Sequence, residues 1–255
     1  MERLKDKVAI ITGSSTGIGR GIALRFHSEG AKVLITARTE ANAKKVAEEC
    51  GLANGDAVYV AADVTKEADI DLIFKTCIDH FGKLDILVNN AGHYISKDME
   101  QCTLEDWDLV MNTNIRAAYM CCHRAIPYLK ETKGNILLVS SMVGVCGQFH
   151  SSAYGATKGG LNAMAKGMAI DFGPFGIRAN AICPGYITDT VLSADWFKQV
   201  QKDPDYKERI IEAHPLRHFG TSDDCALAAV YLCSDEASFV TGVCLPIDGG
   251  VTLGY

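Results

Sequence analysis

Tyr154 and Lys158 are the residues of this chain whose types and spacing point most directly to chemistry. They stand four apart in a stretch of helical periodicity, so both side chains leave the same face. A free tyrosine titrates near ~10, and an ammonium beside it favours the phenolate and lowers that value. Tyr154 could then give or take a proton near neutral pH. Of the nine tyrosines it alone has lysine four residues on. Ser141 comes just after an apolar strand, at the carboxyl end of the sheet where open α/β folds place ligands, and its hydroxyl could donate to a substrate oxygen. Ser140 is the neighbouring alternative. A second feature is Thr12-Gly-Ser-Ser-Thr-Gly-Ile-Gly19, lying between an apolar run and a helix-compatible segment. Glycines allow a tight turn and close backbone approach, and a helix N-terminus offers unpaired N–H groups to a pyrophosphate. Taken alone, this turn is as well explained as an ordinary strand-to-helix connection, and its spacing is not GxGxxG.

The elements that must position these groups alternate strictly. Strands are expected over Val8–Thr12, Lys32–Ala37, Ala57–Ala61, Ile86–Val88, Asn135–Ser140, Arg178–Cys183 and Val243–Ile247. Helices are expected over Gly17–Glu29, Glu40–Cys50, Ala68–Phe81, Leu104–Lys130, Ala153–Phe172 and Asp223–Leu232. That order is the signature of βαβ units, and near-continuous apolar strands such as Val8-Ala-Ile-Ile suit a sheet covered on both faces. The fold class is therefore α/β, a single doubly wound Rossmann-type domain over 1–255 with a mainly parallel seven-stranded sheet. The polar and aromatic interruption at 186–220 is expected to form a small helical substrate lid.

Composition narrows the function classes. The 255 residues are 48% hydrophobic, enough for a substantial core. Lys and Arg number 25 against 31 acidic residues, a net charge of −6, so a sequence-wide basic surface for nucleic acid is absent. Ten cysteines show no CxxC and no cluster at metal-ligand spacing, which reads as mostly buried reduced thiols and no metal site. With no signal-peptide pattern and no apolar run of about 20 residues, the expectation is a soluble protein of a reducing cytosol, without membrane contact.

In chain order the sequence carries Thr12-Gly13 with Gly17 and Gly19, Asp63-Val64, Asn89-Asn-Ala-Gly92, Asn114, Ser141, Tyr154 with Lys158, Pro184-Gly185 and Asp248-Gly-Gly250. This set, spanning essentially the whole chain, resembles the short-chain dehydrogenase/reductase family. The resemblance implies reversible hydride transfer between NAD(P)(H) and a secondary alcohol or ketone, with Tyr154 as acid/base and Ser141 bonded to the substrate oxygen. It also implies that the Asn114 backbone holds a water linking Lys158 to solvent. Cofactor contacts would come from Gly13, Ser15, Thr16, Gly17, Ile18 and Gly19, from Arg38, Asp63 and Val64, and from Asn90, Ala91 and Gly92. Tyr154, Lys158, Pro184, Gly185, Ile187 and Thr188 would complete them. Asp63 would bond the adenine amino group, and the Asn89–Gly92 segment would equally support the central strand as a turn.

Cofactor choice is decided past the second strand, where a carboxylate would bond the 2′-hydroxyl of NAD. Here Ala37-Arg38 stands there, so NADP(H) is favoured and NAD(H) remains possible. Arg38 could otherwise be a solvated charge stacking on adenine, and Thr16 stands where NADP-preferring relatives can carry a second cation. Where the family places a threonine five residues beyond the proline, this chain has Asp189, flanked by Thr188 and Thr190. Substrate-facing candidates are His93, Met142, Gln148, Tyr186 and Trp196, with Tyr94, Phe149, His150 and Phe197 beside them. They suit a polyol or sugar, a cyclic ketone or a hydroxysteroid-like ring. The family resemblance and the small residues of Ala153–Phe172 imply a homo-oligomer, a tetramer by analogy. A 3-ketoacyl thioester reductase is a rival reading, although Thr132 and Phe175 occupy positions where carrier-binding relatives are basic, with Lys130, Lys133 and Arg178 close by. A non-catalytic nicotinamide-sensing protein and a sugar-nucleotide epimerase, in which the nicotinamide stays bound through the cycle, are rivals of different chemistry.

Overall fold

A computed structural model describes residues 2–254, excepting the side chains of residues 191–193, 195, 196 and 199. Seven parallel strands form one sheet in the order β3-β2-β1-β4-β5-β6-β7. They are β1 (Val8–Ile11), β2 (Lys32–Ala37), β3 (Ala57–Ala61), β4 (Ile86–Asn89), β5 (Asn135–Val139), β6 (Arg178–Pro184) and β7 (Cys244–Ile247). The reversal of strand order falls between β1 and β4, and open parallel sheets bind ligands at the carboxyl ends beside such a point. β1, β4 and β5 are buried along their whole lengths, as their unbroken apolar runs require, while the edge strand β7 is only half-buried and tolerates Pro246.

Helices cover both faces. One core packs α1 (Gly17–Ser28), α2 (Glu40–Glu49) and α9 (Ser222–Cys233) on the sheet through Ile22, Phe26, Val46 and Val230. The other packs α3 (Glu67–Phe81), α5 (Ala117–Thr132) and α6 (Ser152–Phe172) through Ile73, Phe74, Cys121 and Leu161. All ten cysteines are unpaired thiols, seven of them buried. No helix among the described residues is long and apolar enough to cross a membrane.

The expected helix Leu104–Lys130 is not continuous. It runs as α4 (Leu104–Val110), a wide turn of π geometry over Met111–Arg116, and then α5. The sequence of that turn, Met-Asn-Thr-Asn-Ile-Arg, is poor in helix formers, and the buried Asn114 side chain finds its partners outside the helix. Between β6 and α9 the chain makes two helices, α7 (Val191–Lys202) and α8 (Pro204–Ala213). This excursion is tied at its base, where Ile187 bridges Gly220 in parallel and Thr188 N–H donates to Gly220 O at 3.1 Å.

Candidate active site

A cleft of about 760 Å³ opens along the carboxyl ends of the strands. At one end it is floored by the turn between β1 and α1. Gly13 adopts φ +61°, and a Cβ there would stand 2.9 Å from Ala91 Cα. A Cβ on Gly19 would fall 2.3 Å from Asn90 Nδ2 and 2.5 Å from Gly13 O, so neither position admits a side chain. The Asn90 amide braces the turn by donating to Thr12 O at 3.0 Å and Gly13 O at 2.9 Å. The Asn89–Gly92 segment supports the turn, and Asn90, Ala91 and Gly92 also line the cleft. Gly13, Ser15, Thr16, Gly17 and Ile18 line it too, with Gly19 buried behind them. The bare turn, the helix N-terminus of α1 and a cavity near the upper end of ligand-pocket volumes fit a dinucleotide.

Opposite the turn, Arg38, Asp63 and Val64 line the rim. Thr65 donates to Asp63 Oδ1 from its backbone at 3.0 Å and its hydroxyl at 2.8 Å, and the backbone bond first of all holds the Asp63 carboxyl below the ordinary value. The positive field of exposed Arg38 acts in the same direction.

Pro184, Gly185, Ile187 and Thr190 line the far wall, whereas Thr188 does not. Its hydroxyl donates to Gly220 O at 3.4 Å. Thr190 lies over the glycine turn, 3.2 Å from where a Gly17 Cβ would be. The Asp189 carboxylate caps α9, accepting from Ser222 N–H at 2.8 Å and from Ser222 Oγ–H at 2.6 Å. The shifted threonine pattern thus has a structural reason: the carboxylate is committed to α9, and the hydroxyl side chain facing the cleft is the residue after it.

At the other end of the cleft stand Ser141, Tyr154 and Lys158. Ser140 is separated from Ser141 by its role, since its hydroxyl donates to Lys158 O at 2.9 Å and holds α6 to β5. The Ser141 hydroxyl is close enough to that of Tyr154 to stabilise its ionised form. The Lys158 ammonium lies 5.4 Å from the Tyr154 ring centre and donates to Val139 O at 2.9 Å. Burial pushes the Tyr154 hydroxyl well above the ordinary tyrosine value, the Ser141 bond pulling the other way. In the protein chain itself desolvation therefore sets the direction. Asn114 does not line the cleft. It is buried behind Gly92, where a Cβ would meet Asn114 Oδ1 at 3.4 Å and Lys158 Nζ at 3.6 Å, so the two side chains converge on that glycine.

Beyond Tyr154 the cleft is faced by His93, Tyr94, Met142, Gln148 and Tyr186. Tyr94 stands edge-on to Tyr154 at 4.9 Å between ring centres. Phe149 is 90% exposed and does not line the cleft, and the Trp196 side chain lies outside the described residues. Leu109 and Thr113, at the α4 end and the wide turn, also face the cleft. Sequence periodicity gave them no distinction, because only the break in the helix turns them inward.

Burial lowers the Lys158 ammonium from 10.5 to about 8. A folded value below the unfolded one means that folding releases a proton between about pH 8 and 10.5, so stability rises with pH across that window. Below it the buried charge costs about 3 kcal/mol. Lys158→Met is expected to be more stable than the parent at pH 7, with the advantage fading as pH climbs through the window. Denaturant midpoints of both proteins at several pH values check this. Parallel pH slopes for parent and variant would contradict it.

A family model described as enoyl-(acyl carrier protein) reductase matches residues 13–252. The L-fucose dehydrogenase of Oryctolagus cuniculus is 36% identical over 256 residues, covering 99% of this chain and 87% of that protein. The 3beta-hydroxysteroid dehydrogenase 1 of Eggerthella lenta is 36% identical over 253 residues, covering 98% and 95%. Among solved structures, one from Sinorhizobium meliloti assigned as a short-chain alcohol dehydrogenase superposes with a TM-score of 0.91 at 33% identity, covering 99% of this chain and 98% of that one. One from Agrobacterium tumefaciens assigned as a gluconate dehydrogenase gives 0.91 at 30% identity with the same coverage.

Proposed function

The chain belongs to the short-chain dehydrogenase/reductase family and is an NAD(P)-dependent alcohol dehydrogenase/ketone reductase, and from that premise we propose that it prefers NADP(H) and acts on a neutral cyclic secondary alcohol or its ketone. The observation carrying this reading is the single cleft in which a side-chain-free turn, Arg38 and the Ser141–Tyr154–Lys158 cluster face one another. The bound nicotinamide supplies the hydride acceptor or donor. Ser141 orients the substrate oxygen by donating to it, and Tyr154 takes the hydroxyl proton in oxidation and returns it in reduction. Lys158 holds positive charge beside the Tyr154 ring, which stabilises the phenolate while the proton is away. Asn114, meeting Lys158 across Gly92, holds the path by which that proton leaves.

Arg38 at the rim supports the NADP(H) preference, since a guanidinium pairs with a 2′-phosphate through charge-assisted bonds. The substrate class follows from the far end of the cleft. Tyr94, Met142 and Tyr186 offer apolar faces to a ring, while Gln148 and His93 can bond its hydroxyls. The fucose and hydroxysteroid dehydrogenases among the relatives are named for neutral ring compounds. Of the cations near Thr132 and Phe175, Arg178 is spent on Leu232 O at 2.6 Å and Ser234 O at 3.0 Å, which leaves a carrier-protein partner only the exposed Lys130, 3.8 Å over the Phe175 ring, and Lys133. Large apolar side chains exposed on the outer helices, Leu104, Tyr119 and Ile170 among them, support a homotetramer.

The test is nicotinamide absorbance with NADPH and NADH in parallel against neutral aldoses, hydroxysteroids, cyclic ketones, gluconate and ketoacyl thioesters. Turnover concentrated on the neutral rings is expected. Highest kcat/KM on gluconate or on a thioester would overturn the substrate class, and tight dinucleotide binding without any turnover would favour a sensing role.

A further inference from the structure

Three backbone segments meet behind the cleft without any secondary-structure ladder between them: the loop after β4 that carries His93 and Tyr94, the wide turn that carries Asn114, and the first turns of α6. Asn114 is 1% exposed and its side chain is fully committed. Oδ1 accepts from His93 N–H at 2.7 Å, and Nδ2 donates to His93 O at 2.9 Å and to Thr157 Oγ1 at 3.0 Å. Thr157 is buried, with no exposed surface, and its hydroxyl donates to Tyr154 O at 2.7 Å. A hydroxyl has one proton, so once that proton is given to Tyr154 O its lone pair is what the second Asn114 amide proton meets. The direction of the chain is therefore set: Asn114 amide to Thr157 hydroxyl to Tyr154 carbonyl. One residue beyond His93, the Tyr94 ring rests against Tyr154.

We propose that Thr157 is a positioning residue, whose hydroxyl joins the substrate-side loop to the acid/base helix and so fixes Tyr94 and His93 against Tyr154. This rests on Tyr154 being the acid/base, as proposed above. The glycine turn, Arg38 and Asp63 take no part in this network, so its loss should weigh on turnover far more than on dinucleotide affinity.

Two substitutions of opposite kind separate the hydroxyl from the packing. Thr157→Val keeps the volume and removes both donor and acceptor, whereas Thr157→Ser keeps the hydroxyl and removes a methyl. Expected for Thr157→Val is a fall in kcat of about tenfold to a hundredfold, the scale set by slight misplacement of reacting groups. Its dissociation constant for NADPH, read by nicotinamide fluorescence, should match that of the parent. Thr157→Ser should restore most of the turnover. Thr157→Ala, which cannot overpack, is the second hydroxyl-free variant and should behave like Thr157→Val. Parent-like kcat in Thr157→Val, or equal losses in Thr157→Val and Thr157→Ser, would overturn the proposal. So would failure of both hydroxyl-free variants to fold, which would make the residue structural. A parent whose turnover survives Tyr154→Phe would instead overturn the underlying functional reading.

Discussion

Tyr154→Phe is expected to lower kcat by about 10²- to 10⁴-fold, the range that a positioned acid/base contributes. The substitution deletes one oxygen and leaves the ring, so the edge-on contact with Tyr94 and the packing of α6 survive. Dinucleotide affinity should stay close to that of the parent, because the glycine turn and the Arg38–Asp63 rim are untouched. The loss should appear in kcat more than in KM, as for an interaction made in the transition state. Single-turnover rates together with NADPH titrations check this. A loss of less than about tenfold would move the proton donor elsewhere, since positioned acids and bases are worth more than that. The exposed imidazole of His93 at the same end of the cleft would be the next group to substitute.

Arg38→Asp is expected to invert cofactor preference. The change removes a charge-assisted partner for a 2′-phosphate and installs a carboxylate that repels it while accepting from a 2′-hydroxyl. With bonds to charged groups worth about 1.5–3 kcal/mol and about 1.4 kcal/mol per factor of ten, loss of the phosphate bond alone should lower the ratio of kcat/KM for NADPH over NADH by about 10- to 10²-fold, and the new bond to the 2′-hydroxyl should lower it further. Because Arg38 is exposed, the parent's preference should also weaken as salt is raised. Initial rates with both cofactors at two ionic strengths measure both effects. An unchanged ratio would leave Arg38 with no part in discrimination.

Strand and helix order was legible because the central strands are short apolar runs buried on both faces, a pattern that local sequence carries by itself. The glycine turn, Tyr154 and Lys158 were legible for a similar reason, since their spacings belong to a turn and to one helical face. What escaped depends on partners distant in sequence. The break in Leu104–Lys130 rests on an Asn114 side chain whose partners are His93 and Thr157, and one wide turn barely disturbs a 3.6-residue period. Thr188 was selected for its hydroxyl, yet that hydroxyl is spent on Gly220, and the reason Asp189 replaces a threonine appears only where Ser222 meets it. Spacing reveals a neighbouring charge and says nothing of desolvation, which raises the Tyr154 value in the protein chain itself.

The tie at the base of the α7–α8 excursion makes that segment an exchangeable cassette. Both of its ends are clasped at one point, by Ile187 with Gly220 and by Asp189 with Ser222, so its length and content are decoupled from the register of the sheet. Once the ends are joined, doubling a flexible loop costs only about 0.6 kcal/mol in closure entropy. New substrate walls can therefore be grafted across α7 and α8, between residues 191 and 213, while Thr190 stays on the glycine turn, Leu216 stays bonded to Gly249, and the strands and the tyrosine cluster keep their places.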